Sequence, residues 1–167
     1  ARVSPHKSIE QLGAAAAQRL AMIRLAIENA PDFTVDTREL DRPGPSYTID
    51  TLEELRRDFP GEQFTLLIGT DQLPKLHLWR RAAEILQGPI AILPRAQDVA
   101  IDWDDIVRSA GHASADRLRQ SVLATPRIDI SATDIRERCR RNLSIDYLVP
   151  RNVAEYIRRH NLYHAAR

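Results

Sequence analysis

With 167 residues, 43% of them hydrophobic and 28% charged, the chain has a globular composition sufficient for one core, and its formal net charge of +1 gives no field to recruit nucleic acid or an anionic membrane. Its single cysteine, Cys139, excludes an internal disulfide and a cysteine-built metal site and fits a reducing cytoplasm. No apolar run approaches the ~20 residues that span a bilayer, so a soluble, cytoplasmic protein without membrane partners is expected.

The segment from Ala1 to Lys7 lacks an initiator Met and reads like the tail of a strand emptying into a loop, so something is expected to precede it. Leu20, Ile23 and Ile27 recur at helical spacing beside the strong helix formers Ala14 to Ala17, which predicts a helix from about Ile9 or Gly13 to Asn29, ended by Pro31. Phe33 to Asp36 alternates like a short half-buried strand, and Asp41 to Pro45 is turn punctuation. A second helix, from about Tyr47 to Asp58, buries Ile49, Leu52 and Leu55 and stops at Pro60-Gly61. Phe64 to Gly69 and Pro89 to Leu93 are continuous apolar runs of the kind found in strands covered on both faces, and Leu78 to Leu86 between them is helical. Two β-α-β units follow from that alternation, and with them an α/β fold of the doubly wound, Rossmann-like parallel type. Between Arg95 and Pro126, short helices are expected around Ile101 to Val107 and from Ala115 to Leu123. Cys139 reads as an ordinary helix-face residue, and Val149-Pro150 opens a last helix with Val153, Tyr156 and Ile157 on one face and Asn161 as a left-handed C′ residue. The whole, 1–167, is taken as a single domain with a helical C-terminal part at about 131–167.

Ligands of open parallel sheets collect at the carboxyl ends of the strands. After Ile68 come Gly69, Thr70 and Asp71, where glycine allows close backbone approach and the carboxylate could accept from a ribose hydroxyl or simply cap the next helix. After Leu93 comes Arg95, able to reach a phosphate or to stay solvated. After Ile130 comes Ser131-Ala132-Thr133-Asp134-Ile135-Arg136, an N-cap with Asp134 placed to answer it in a capping box. Two hydroxyls, helix N–H groups and a guanidinium one turn along suit a phosphate; the alternative is a plain cap with a solvated arginine. His6 and Lys7 are a further basic pair, and the Trp79 indole could stack on a heteroaromatic ring or pack in the core. There is no glycine-rich phosphate loop followed by Lys and Ser or Thr, and no H-E-x-x-H helix.

Pro5-His6-Lys7, Pro45-Ser46-Tyr47-Thr48, Ile68-Gly69-Thr70-Asp71, Trp79, Ile130 to Arg136, Tyr147-Leu148-Val149-Pro150 and Asn161-Leu162-Tyr163 together resemble bacterial nicotinate-mononucleotide adenylyltransferase, in the same order and at similar separations. The resemblance implies a nucleotidyltransferase of NAD biosynthesis that joins ATP to nicotinate mononucleotide with Mg²⁺, releasing pyrophosphate and making deamido-NAD. By that resemblance Tyr47 and Thr48 receive the nicotinate carboxylate and Trp79 stacks on its ring. Gly69 and Asp71 line the nucleotide crevice, His6 and Lys7 approach phosphate, and Ser131, Thr133 and Arg136 hold the ATP phosphates.

The family's glycine-rich G-G-x-F-x-P-x-H-x-G-H segment, with its catalytic histidines, does not occur in these residues. The sequence is therefore expected to be a piece of a longer enzyme, without a catalytic residue of its own and dead or severely impaired by itself. Ser4 and Ala96 also stand where the family often has proline. Rival readings are a non-catalytic nucleotide-binding module, pantetheine-phosphate adenylyltransferase, and a nucleic-acid binder using Arg136, Arg138, Arg140 and Arg141; the balanced charge and the want of an aromatic platform argue against the last.

Overall fold

A computed structural model describes residues 13–94, 101–126 and 130–164. Along the chain these form α1 (Ala16–Ile27), the single turn α2 (Arg38–Asp41), α3 (Thr48–Asp58), β1 (Leu66–Gly69), a 3-10 segment (Thr70–Leu78), α4 (Ala82–Gln87), β2 (Ile90–Leu93), α5 (Trp103–Ala110), α6 (His112–Gln120), α7 (Ala132–Arg140) and α8 (Arg151–Arg159). They belong to two compact units, one of Ala1–Ser46 with Ile130–Arg167 and one of Tyr47–Asp129.

The Tyr47–Asp129 unit is the α/β part. Its strands run parallel in the register Leu66 to Ile90 through Gly69 to Leu93, so both carboxyl ends lie side by side. Ile92 extends the sheet on its other edge: its N–H donates to Ser121 O at 2.9 Å, its carbonyl accepts from Leu123 N at 2.9 Å, and a parallel bridge joins it to Val122. Ile92 is fully buried among Ile49, Leu52, Ile68, Leu76, Ile85 and Leu118, which makes this position the centre of the unit's core. The alternation of strand and helix expected from the sequence is present.

Several details differ from expectation for identifiable reasons. The region expected as one helix from Leu78 to Leu86 is split: Pro74 sits inside the preceding segment, which closes as 3-10 turns, and Arg81 adopts a left-handed φ of 54° before α4 starts. Trp79 therefore stands in a break and not on a helix. Leu67 is 57% exposed, so β1 is not covered on both faces by the described residues. Leu55 is only half-buried on α3.

In the other unit, α1 begins later than the alanine run suggests because Gly13 (φ 64°) and the extended Ala15 precede it; Gln18 accepts from the Ala15 N–H at 2.9 Å. Phe33 to Asp36 forms no strand: none of the described residues pairs with it, and Phe33 is 65% exposed. Asn152 on α8 donates to the Leu25 carbonyl at 2.7 Å and so ties its first turn to the last turn of α1. Cys139 is not a surface residue. It is buried with Ile135, Ile145, Val153, Ala154, Ile157 and Leu162, and burial pushes its thiol above the usual range. Helix α8 ends as its sequence requires: Asn161 (φ 49°) donates to Arg158 O at 3.1 Å and Leu162 to Ile157 O at 3.0 Å, the paired bonds of a Schellman turn.

Replacing Ile92 by Ala is expected to lower stability in urea denaturation by about 3 kcal/mol, whereas Leu67→Ala should cost well under about 1 kcal/mol, because only the first leaves a cavity.

Candidate functional site

At the start of α3, Tyr47 is extended (φ −104°, ψ 141°) and no side chain caps the helix. Among the described residues, no cap side chain bonds the first N–H groups of this 11-residue helix, which stand at the positive end of its dipole. Buried Ile49 fixes this end on the core, and Ser46, also buried, donates to Glu39 O at 3.0 Å just before it. Asp50 places a negative charge in the first turn. That charge is offset by Arg80, whose guanidinium lies 3.5 Å from Asp50 and 4.8 Å above the Tyr47 ring centroid.

Arg80 also shows where Trp79 is. The indole packs half-buried on the same core cluster as Tyr47, and its backbone is fixed by Trp79 N–H donating to Leu76 O and Ala82 N–H donating to Trp79 O, both at 3.1 Å. Arg81, next in the chain, reaches Glu53 on the second turn of α3 at 2.7 Å and donates through Nε to Glu84 at 2.6 Å. These hydrogen bonds hold the Glu84 carboxyl below the usual range. Two adjacent arginines thus clamp the Trp79 break to α3 and bring the aromatic face and the uncapped helix end together. The sequence reading missed both. Their signal was available in Asp50 and Glu53, three residues apart on one helix face, facing a pair of cations.

Gly69 ends β1 opposite Leu93, and the buried Thr70 hydroxyl contacts the Leu93 carbonyl at 3.5 Å. Asp71 is exposed in the following turn and accepts from Gln72 Nε2 at 2.6 Å. In the other unit, Ser131 caps α7 by accepting from the Asp134 N–H at 3.0 Å; the reciprocal half of a capping box is not formed. Thr133 and Arg136 share the adjacent turn, with Arg136 Nη2 donating to Thr133 Oγ1 at 3.2 Å. Among the described residues no carboxylate pairs with Arg136, which leaves it suited to an anionic ligand. Tyr47, Thr48, Gly69, Asp71 and Trp79 belong to one unit and Ser131, Thr133 and Arg136 to the other. His6, Lys7 and Arg95 lie outside the described residues.

The cytidylyltransferase-like family model matches residues 2–138, which include every one of these positions. The chain is 39% identical over 155 residues, 92% of its length and 76% of the relative's, to a probable nicotinate-nucleotide adenylyltransferase of Herpetosiphon aurantiacus. It is 40% identical over 152 residues, 90% of its length and 74% of the relative's, to the corresponding protein of Albidiferax ferrireducens. The chain belongs to the nicotinate-nucleotide adenylyltransferase family. Its fold is also that of Plasmodium falciparum nicotinic acid mononucleotide adenylyltransferase complexed with NaAD, with a TM-score of 0.70 at 18% identity over 97% of this chain and 78% of that one. Membership makes this a nucleotidyltransferase-type α/β protein, as its parallel strands and their side-by-side carboxyl ends require.

Ser131→Ala is expected to destabilise the Ile130–Arg167 region by about 1 kcal/mol through loss of the cap, measured by urea unfolding. Thr133→Ala, which supplies no cap bond, should be near neutral in the same experiment.

Proposed function

We propose that this protein takes part in adenylyl transfer from ATP to nicotinate mononucleotide, forming deamido-NAD and pyrophosphate. What supports the pyridine acid as substrate is the start of α3 beside Trp79, where the N-cap side chain makes no bond: a carboxylate finds N–H donors and the positive end of the dipole, whereas a carboxamide gains little from the dipole. The ring would stack on Trp79, and Tyr47 and Thr48 would flank the acid group. Ser131, Thr133 and Arg136 would hold the triphosphate, joined by His6, Lys7 and Arg95; Gly69 would let the nucleotide approach the backbone and Asp71 would meet its ribose or phosphate-bound cation. The acceptor phosphate oxygen attacks the α-phosphorus in line and pyrophosphate departs, so the residues' work is to position both substrates and to spread the developing charge.

Among the described residues no cluster of three or more His, Cys, Asp or Glu could hold a metal ion. A Mg²⁺ ion would arrive with the triphosphate, and Asp71, in the turn after β1, is a carboxylate that could meet it. Such an ion would neutralise charge on the departing pyrophosphate. No described helix is long and apolar enough to cross a membrane. We take the compartment to be the cytoplasm, in line with the single unpaired thiol.

Calorimetric titration separates the two substrate roles. Arg136→Ala is expected to weaken MgATP binding about 10- to 100-fold while leaving nicotinate mononucleotide within about two-fold, and Trp79→Ala to do the reverse. Phosphopantetheine binding in place of nicotinate mononucleotide, or loss of both ligands in both variants alike, would contradict the assignment.

A further inference from the structure

The resemblance that draws attention to Asn161-Leu162-Tyr163 leaves these residues without a role, yet the fold takes trouble over them. After α8, Asn161 and Tyr163 both have left-handed backbones, φ 49° and 66°. Asn161 is a usual residue for that region, but an aromatic residue there is strained, and such strain persists only where the surroundings over-determine it. Leu162 between them is buried and donates to Ile157 O, which fixes the direction of the chain.

That direction sends the Tyr163 ring onto Gly13. A Cβ built at Gly13 would stand 3.0 Å from Tyr163 Cδ1, 3.3 Å from Cε1 and 3.6 Å from Arg136 Cδ, so the flat ring and the Arg136 stem both border the space that Gly13 leaves without a side chain. Gly13 has a φ of 64° as well, so both its backbone and the space above it call for glycine. The phenol lies close enough to guanidiniums that Arg136 and Arg19 partly counter the rise in its pKa caused by burial. The Arg136 head donates to Thr133 Oγ1 at 3.2 Å, and its stem and the Tyr163 ring flank the same Gly13 position.

We propose that Tyr163 is a positioning residue for Arg136: its ring, seated over Gly13, restricts the arginine stem so that the guanidinium is held at the first turn of α7 for the ATP phosphates. This rests on the reading of Arg136 as a phosphate ligand. The physical reason is entropic. A half-buried arginine still has rotamer freedom to lose on binding, and a ring that removes part of it beforehand tightens the contact without touching the ligand. The ring is what acts, so the hydroxyl should be dispensable.

The test is a double-mutant cycle on MgATP affinity, measured by calorimetry on the protein and on its Tyr163→Phe, Tyr163→Ala, Arg136→Ala and doubly substituted forms. Tyr163→Phe is expected to bind within about two-fold of the unaltered protein and Tyr163→Ala about 10-fold more weakly, with no further loss when Tyr163→Ala is added to Arg136→Ala. The same 10-fold loss in the Arg136→Ala background would show a general structural effect and overturn the proposal, as would unaltered affinity in Tyr163→Ala. If Arg136→Ala itself binds as tightly as the unaltered protein, the phosphate-site reading fails, and the proposal with it. Should Tyr163→Ala not fold at the assay temperature, Tyr163→Leu, which keeps apolar bulk but lacks the flat ring, replaces it under the same criteria.

Discussion

A helix can offer its first N–H groups to an anion only if that end is held still, and in this chain a buried isoleucine does the holding at both candidate ends. Ile49, 1% exposed, pins the start of α3, and Ile135, 7% exposed, pins the first turn of α7. Each lies one or two residues from the groups proposed to touch ligand: Thr48 in the first case, Thr133 and Arg136 in the second. The dipole and the N–H donors are generic to helices; what makes these two ends usable is that their apolar sides have no freedom to roll. The binding chemistry proposed for these ends would follow from core packing, one residue removed.

The arginines divide along the same line. Arg140 pairs with Glu137 at 2.9 Å, Arg119 with Asp116 at 2.8 Å while stacking over Trp103, and Arg138 donates to the Ser144 carbonyl at 2.8 Å. These are local partners that settle charge on a helix face. In a basic helix for nucleic acid, which Arg136, Arg138, Arg140 and Arg141 suggest on paper, Arg140 is paired with a carboxylate and the Arg138 guanidinium is engaged by a carbonyl. Arg80, Arg81 and Arg136 are used differently: the first two fasten Trp79 to α3, and the third carries its charge beside hydroxyls.

Local rules made much of this visible in advance. The parallel pair β1 and β2, the cap at Ser131, the left-handed Asn161 and the helices of 103–120 all follow from short-range periodicity and turn chemistry, which act within a few residues. What escaped was set by tertiary contact. Cys139 reads only as a helix-face residue among arginines, and its spacing of four from Ile135 puts that face in the core. Phe33 to Asp36 alternates correctly yet has no described strand to pair with, and alternation by itself makes no sheet. The break at Trp79 needed Pro74 and a left-handed Arg81 read together. Arg80 shows in the sequence only as a charge opposite Asp50, since its other partner is a ring 33 positions away, and the Tyr163 approach to Gly13 joins residues 150 positions apart.

The central claim is that the amino ends of α3 and α7 are anion sites, each for its own ligand. Amide hydrogen exchange resolved to single residues tests it directly. Nicotinate mononucleotide should slow exchange at Thr48, Ile49 and Asp50, and MgATP should slow it at Ala132 and Thr133, with little crossover between the two sets. Protection that appears elsewhere while these five amides stay unchanged at saturating ligand would contradict the account.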